Sequence, residues 1–219
     1  MDTRLSYHQS LIELQADLLK MGRQVEVQIQ SAVDSLSTLD EQKARQTISN
    51  DDQIDDMMLK IEERCLRLIA LQQPMASDLR IIGTASKIAV DLERIADHAV
   101  DIAKITRRLA GEELLRPLVV IPKMAEIALE MLRESLLAYT EQDVNRAASL
   151  ADRDDEVDQL YASLMQDMTA LMSADIPHNR QLFHLIMVAQ FLERVADHTT
   201  NIGEGVIYMV TGKRKDLNV

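Results

Sequence analysis

The sequence predicts an elongated all-α protein built from two tandem three-helix bundles that arose by internal duplication. Three observations carry that prediction. Residues 92–98 read Leu-Glu-Arg-Ile-Ala-Asp-His, and residues 192–198 read Leu-Glu-Arg-Val-Ala-Asp-His, so six of seven positions are identical. Only 6 Gly and 4 Pro occur in 219 residues, there is no Trp, and aromatics are 3%, which disfavours the turns and aromatic strands of a β or α/β domain. Met, Leu, Ala, Glu, Gln and Arg, all good helix formers, dominate instead.

The repeat extends well beyond the matching heptapeptide. At an offset of 103, Met21 falls on Met124, Asp40 on Asp143, Ala44 on Ala147, Asp51 on Asp154 and Asp55 on Asp158. Further on the offset becomes 100, pairing Arg80 with Arg180 and Ile102 with Ile202. Three residues are therefore missing from the second copy, near Gln72-Gln73-Pro74 and its counterpart Asp175-Ile176-Pro177, where a loop tolerates the change. The expected domains are residues 1–112 and 113–219, one bundle each, joined around 111–117.

The first helix is expected from about Arg4 to Leu36. Thr38-Leu39-Asp40-Glu41 has a capping-box pattern and opens the second, from about Asp40 to Leu71, with a bend near Asn50-Asp51. Pro74 is placed in the first turn of the third helix, and Gly111 ends it after Leu109. The second copy starts after Pro117 and Pro122. Thr140-Glu141-Gln142-Asp143 opens its second helix, and Pro177 opens a third that ends near Gly212. Along the third helix Ile81, Ala85, Ile88, Leu92, Ile95, Ala99 and Ile102 alternate spacings of four and three. Leu185, Val188, Leu192, Val195, Thr199, Ile202 and Val206 form the matching seam. This period suits bundle packing at a shallow angle.

Composition narrows the function. Hydrophobic residues are 47%, enough for a large core, yet no apolar run is long enough to cross a bilayer, and the N-terminus lacks a secretory h-region. A cytoplasmic protein is expected. The net charge of −12 disfavours nucleic acid and favours cations or basic surfaces of other proteins. Cys65 is the only cysteine, so neither an internal disulfide nor a thiolate cage can form. No Gly-rich phosphate loop, nucleophile elbow or triad spacing occurs, and no enzyme is expected.

The acidic residues carry the candidate chemistry. Glu93 and Asp97 lie four apart on one helical face away from the seam, and Asp101 continues the line. Glu193 and Asp197 repeat them. Asp51 with Asp55, and Asp154 with Asp158, supply the same spacing from the second helices. If those helices are neighbours, four carboxylates converge in each copy. Like charges at this spacing cost a bare helix a few tenths of a kcal/mol, which a multivalent cation would offset. Metal ions (Mg, Mn, Fe, Ca or Zn) are the candidate cofactor, and carboxylate ligation favours the hard ones. No histidine falls at the spacing of a redox di-iron bundle. Two other readings stand beside metal binding: a solvated acidic face, and neutralisation by Arg94 and Arg194. His98 and His198 are ligands or helix-boundary residues, and Arg80 and Arg180 clamp a turn or meet a partner's carboxylate.

These same residues resemble the PhoU family of phosphate-specific transport accessory proteins. The likeness rests on Ala70-Leu-Gln-Gln-Pro-Met-Ala-Ser-Asp-Leu-Arg80, on the two heptapeptides, and on Asn201-Ile202. It implies two three-helix bundles with pseudo-twofold symmetry and surface metal clusters at Asp51, Asp55, Glu93, Asp97 and Asp101, then Asp154, Asp158, Glu193 and Asp197. The second copy departs at Asn201, a neutral and weaker ligand than the family's Asp. The resemblance further implies negative regulation of the phosphate-starvation response and of uptake, through a sensor histidine kinase and the ATPase of a phosphate ABC transporter. A homodimer is expected. A metal-dependent enzyme or metal-storage protein using the same carboxylates is the alternative.

Overall fold

The computed structural model describes residues 3–72, 74–115, 118–174 and 176–217. All regular structure among them is helical. The first copy folds into α1 (Thr3–Thr38), α2 (Glu41–Ser49), α3 (Asp51–Gln72) and α4 (Ala76–Leu109). The second folds into α5 (Val120–Glu141), α6 (Val144–Ala148), α7 (Leu150–Ala174) and α8 (Asn179–Thr211), with a single 3-10 turn at Ile176–His178 before the last. At 36 residues α1 spans about 54 Å, which sets the long axis.

The duplication shows in the way chain direction changes. Leu39 and Gln142, at equivalent positions, both adopt left-handed backbone with φ of 51° and 55°. The next residue caps the following helix: the Asp40 carboxylate accepts from the Lys43 N–H, and that of Asp143 from the N–H groups of Asn145 and Arg146. The cap is therefore Asp40 rather than the expected Thr38, whose hydroxyl turns back to the Asp34 carbonyl at 3.0 Å. A short aspartate after a left-handed residue reaches the free N–H groups directly, which satisfies donors that a helix start leaves open.

The expected bend near Asn50-Asp51 is a full break between α2 and α3, and the second copy breaks likewise at Ser149. Pro74 lies two residues ahead of α4, whose N-cap is Met75 in extended conformation. Pro177 sits in the 3-10 turn, one element before the expected place. Proline lacks an N–H to donate and is favoured ahead of the hydrogen-bonded turns, and both α-helices begin two residues beyond it. Gly111 (φ 85°) and Gly212 (φ 71°) supply the left-handed geometry that ends α4 and α8. The division expected at residue 112 falls in the connection between Leu109 and Val120. Arg116 and Pro117, near the expected start of the second copy, lie outside the described residues, as do Gln73 and Asp175 at the deletion.

Both seams are buried. Ile88, Leu92, Ile95, Ala99 and Ile102 of α4 and Leu185, Val188, Leu192, Val195, Ile202 and Val206 of α8 are at most 1% exposed, and only Ile81, at the start, is half-buried. The two copies share one continuous core. Helices α4 and α8 pack antiparallel: the Arg80 Nε donates to the Met209 carbonyl at 3.0 Å, and the Thr84 hydroxyl to the Gly205 carbonyl at 3.4 Å. Arg80 thus clamps the end of the other copy's helix. Arg180 ion-pairs with Glu112 in the connection, where the buried Gln181 also accepts the Leu115 N–H at 2.9 Å.

Two glycines test this packing with opposite signs. A Cβ on Gly203 would meet Leu150 Cδ1 at 2.8 Å and the Ala147 carbonyl at 3.0 Å, whereas one on Gly83 would meet nothing within 4 Å. Gly203→Val is expected to destabilise by about 2 kcal/mol through overpacking. Gly83→Ala is expected to stabilise by about 0.5–1 kcal/mol through helix propensity. Urea unfolding followed by circular dichroism measures both.

Candidate functional site

The break at Asn50 determines where the first acidic group forms. It starts α3 at Asp51, so Asp51 and Asp55 lie on its first two turns, and α3 packs along α4. Asp51, Asp55, Glu93 and Asp97 come within electrostatic reach of one another. Burial lifts Asp51 above the ordinary carboxylate range, and the charges of Asp55 and Asp97 add to the effect. Burial and then Asp97 raise Asp55. Glu93, 18% exposed at its side chain, is raised by burial, by Asp97, and by Asp55 and Asp51. Arg94 lies against Asp97 at 3.0 Å and Glu93 at 3.5 Å, so part of the neutralisation foreseen for it takes place.

The second copy repeats the arrangement through Ser149, α7 and α8. Burial raises Asp154 to about 7, with the charges of Asp197, Asp158 and Glu193 contributing in that order. Glu193 is raised by burial, Asp197 and Asp158. Asp197 is raised by burial and Asp158. Asp101, one turn beyond Asp97, holds Lys104 at 3.0 Å and lines with Asp97 the groove between α4 and α8, together with His98, Asp197, His198 and Asn201.

The two groups differ for a reason visible in the chain. Gln28 of α1 donates its side-chain N–H to Asp51 at 2.9 Å, partly compensating the buried carboxylate. The equivalent position in α5 is Met131, which is buried and has no amide to offer. Asp154 is 7% exposed and accepts no hydrogen bond among the described residues, so no hydrogen bond offsets the burial and the neighbouring negative charges that oppose its ionisation.

Symmetry is also broken where the two motif helices cross. The rings of His98 and His198 lie 5.8 Å apart. His198 Nδ1 meets the Asp91 carboxylate at 3.1 Å. The position equivalent to Asp91 is Phe191, which stacks on His98 at 5.7 Å and 20°. His198 is therefore a hydrogen-bonded ring at the helix boundary. His98 Nδ1 is buried without a partner among the described residues, and burial, His198 and Arg194 push His98 down to about 4. Gln28, Asp91 and Phe191 were not singled out from the sequence. Comparing unlike residues at equivalent positions of the repeat would have found them.

The donors suit a hard cation: carboxylate oxygens brought near one another on neighbouring helices, several of them raised by burial. In this arrangement, among the described residues, no three His, Cys, Asp or Glu side chains are drawn together closely enough to hold one ion.

Comparison with known proteins places the fold. The PhoU domain pattern matches twice, over residues 18–106 and 121–206. The chain belongs to the PhoU family. A PhoU homologue from Clostridium acetobutylicum, named a phosphate-specific transport system accessory protein, is 43% identical over 217 residues, 99% of each chain. The crystal structure of PhoU from Pseudomonas aeruginosa superposes with a TM-score of 0.90 at 36% identity, covering 94% of this chain and 100% of that one. The phosphate transport system regulatory protein PhoU from Streptococcus pneumoniae gives 0.88 at 32% identity, over 96% and 99%. These relatives carry the names of accessory and regulatory proteins, not of enzymes. No helix among the described residues is long and apolar enough to cross a membrane.

Asp154 makes the second acidic group sensitive to pH. A carboxylate whose folded pKa is raised above its unfolded value holds more protons when folded, so its contribution falls as pH rises from about 4 to about 7. In chelator-treated protein, Asp154→Asn is expected to stabilise on the order of 2 kcal/mol at pH 8 and to change little at pH 4. Thermal unfolding at the two pH values reads this out; equal shifts at both would contradict it. Phe191→Asp is expected to give His98 a carboxylate partner and raise its pKa, as followed by NMR of the ring protons.

Proposed function

We propose that this chain is a negative regulator of the phosphate-starvation response and of phosphate uptake. It acts in the cytoplasm as an adaptor between the ATPase of a phosphate ABC transporter and a sensor histidine kinase. The observation that carries this reading is the full-length likeness, 43% identity over 99% of both chains, to a protein named as an accessory of phosphate-specific transport. The physical form supports it. Helices of 33–36 residues present long exposed faces, large enough for the roughly 800 Å² per partner of a standard interface. Formation of a homodimer would leave such faces available on each protomer. With no membrane-spanning helix among the described residues, it meets the membrane through its partners.

The acidic groups belong to the same proposal. Asp51, Asp55, Glu93 and Asp97, with Asp101 beside them, and Asp154, Asp158, Glu193 and Asp197 would each hold a hard cation. Its charge would offset the burial and the mutual repulsion that raise Asp51, Glu93, Asp154 and Glu193. Binding would displace protons, most of all from Asp154. Gln28 orients Asp51 in the first group, and Met131 leaves Asp154 unassisted in the second.

Two measurements test the proposal separately. In cells lacking the native gene, the wild-type chain is expected to restore repression of a phosphate-starvation promoter in phosphate-rich medium. The Glu93→Ala/Asp97→Ala variant is expected to fail while remaining helical by circular dichroism. A reporter indifferent to the presence of the protein would end the regulatory reading. In vitro, Mn²⁺ at a hundred times its Kd is expected to stabilise the protein by about 2.7 kcal/mol, reversibly with chelator. No thermal shift with Mn²⁺, Mg²⁺ or Ca²⁺ would remove the metals and leave the adaptor role intact.

A further inference from the structure

On a chain with 24 basic and 36 acidic residues, basic side chains are expected to find carboxylates. Lys43, Arg64, Arg133, Arg146 and Arg153 do so across helix boundaries. Not every basic side chain does so. Where the start of α4 meets the end of α8, Arg80, Lys87, Arg214 and Lys215 line a groove of about 670 Å³. None of the four has an ion pair among the described residues. Lys87 and Lys215 are exposed. Arg80 donates to the Met209 carbonyl, and Arg214 lies 5.8 Å above the Tyr208 ring.

The groove has an apolar side as well. Leu79, 46% exposed, and Tyr208, 37% exposed, line it. The buried Thr84 and Gly205 form its floor, and Gly83 leaves open space where a side chain would stand. Two carboxylates share the lining, Glu204 and Asp216. Glu204 is engaged by the Leu217 N–H at 3.0 Å, which folds residues 213–217 back along α8 and holds Arg214 and Lys215 at the rim. Leu217 is itself buried and approaches Gly203.

We infer that this groove docks an acidic segment of a partner protein, with carboxylates along the Arg80–Lys87–Arg214–Lys215 rim and an apolar side chain on Leu79 and Tyr208. Spacing selects an extended ligand. Arg80 and Lys87 are seven residues apart, about 10 Å along α4, too far for one small anion to bridge. Concavity selects a chain over a lipid surface, because a flat bilayer reaches the rim and leaves the floor empty. The site stands apart from the carboxylate groups of α3, α4, α7 and α8, so it holds or fails independently of the metal and adaptor readings.

The test uses the full chain and a fluorescein-labelled peptide of glutamates interspersed with leucines, with binding followed by anisotropy. Saturable binding is expected at low salt, weakening as salt shortens the reach of charge to about 10 Å at 0.1 M. Lys87→Glu/Lys215→Glu is expected to weaken binding about tenfold, while Lys20→Glu/Lys60→Glu, in the separate groove between α1 and α3, leaves it unchanged. All four positions are exposed, and circular dichroism checks that both variants fold. Absence of saturable binding, or equal weakening by both pairs, would overturn the inference. So would tighter binding to phosphatidylglycerol vesicles or to inorganic tripolyphosphate than to the peptide, since the occupant would then be a membrane or a compact phosphate.

Discussion

The antiparallel packing of α4 against α8 is the constraint on which the molecule turns. Each helix carries one copy of the motif, with its seam buried in the shared core and its acidic face turned toward the neighbouring helix of its own copy. Because the seam occupies one side of the helix, Glu93 and Asp97 have no freedom to point elsewhere; the same holds for Glu193 and Asp197. What burial of the seam stabilises is partly offset by carboxylates placed close together and half out of water. Hydrophobic packing over helices this long dominates, at about 25 cal/mol for each Å² of apolar surface removed from solvent.

A second constraint works at the ends of the short helices. The left-handed residues Leu39 and Gln142, followed by the capping aspartates, set the direction of α2 and α6. The breaks at Asn50 and Ser149 then start α3 and α7 so that an aspartate lies in or near the first turn. The placement of Asp51 and Asp154 opposite the motif helices thus follows from local backbone geometry as much as from core packing. Without the breaks, a continuous helix would carry these carboxylates along a different line.

Much of this was readable in the chain because it depends on periodicity and repetition. The three helices expected in each copy are four, because the second is broken in both, whereas the seams and the approach of Asp51 and Asp55 to Glu93 and Asp97 follow from spacings of three, four and about 100 residues. The cap at Asp40 rather than Thr38, the break at Ser149 and the late starts after Pro74 and Pro177 did not. Each is decided by one or two backbone torsions, which residue type constrains only weakly. Asp97 and Asp101 line one groove whose far wall, Asp197, His198 and Asn201, belongs to the other copy and is remote in sequence. Arg80 shows the same limit: its partner, Met209, lies in the other copy.

The residues at 91 and 191 have a consequence for what a fused duplication can do. Two separate chains of a single repeat, joined face to face, would be obliged to surround both histidines identically. Here one imidazole rests on a carboxylate and the other on a benzene ring. Each of these neighbours belongs to the opposite half, so the difference sits on the dyad itself rather than at the periphery. The scaffold therefore has a distinguishable left and right despite its nearly mirrored helices, and a bound molecule that contacts the crossing meets two unlike surfaces, which defines a polarity that no true homodimer of the repeat could possess.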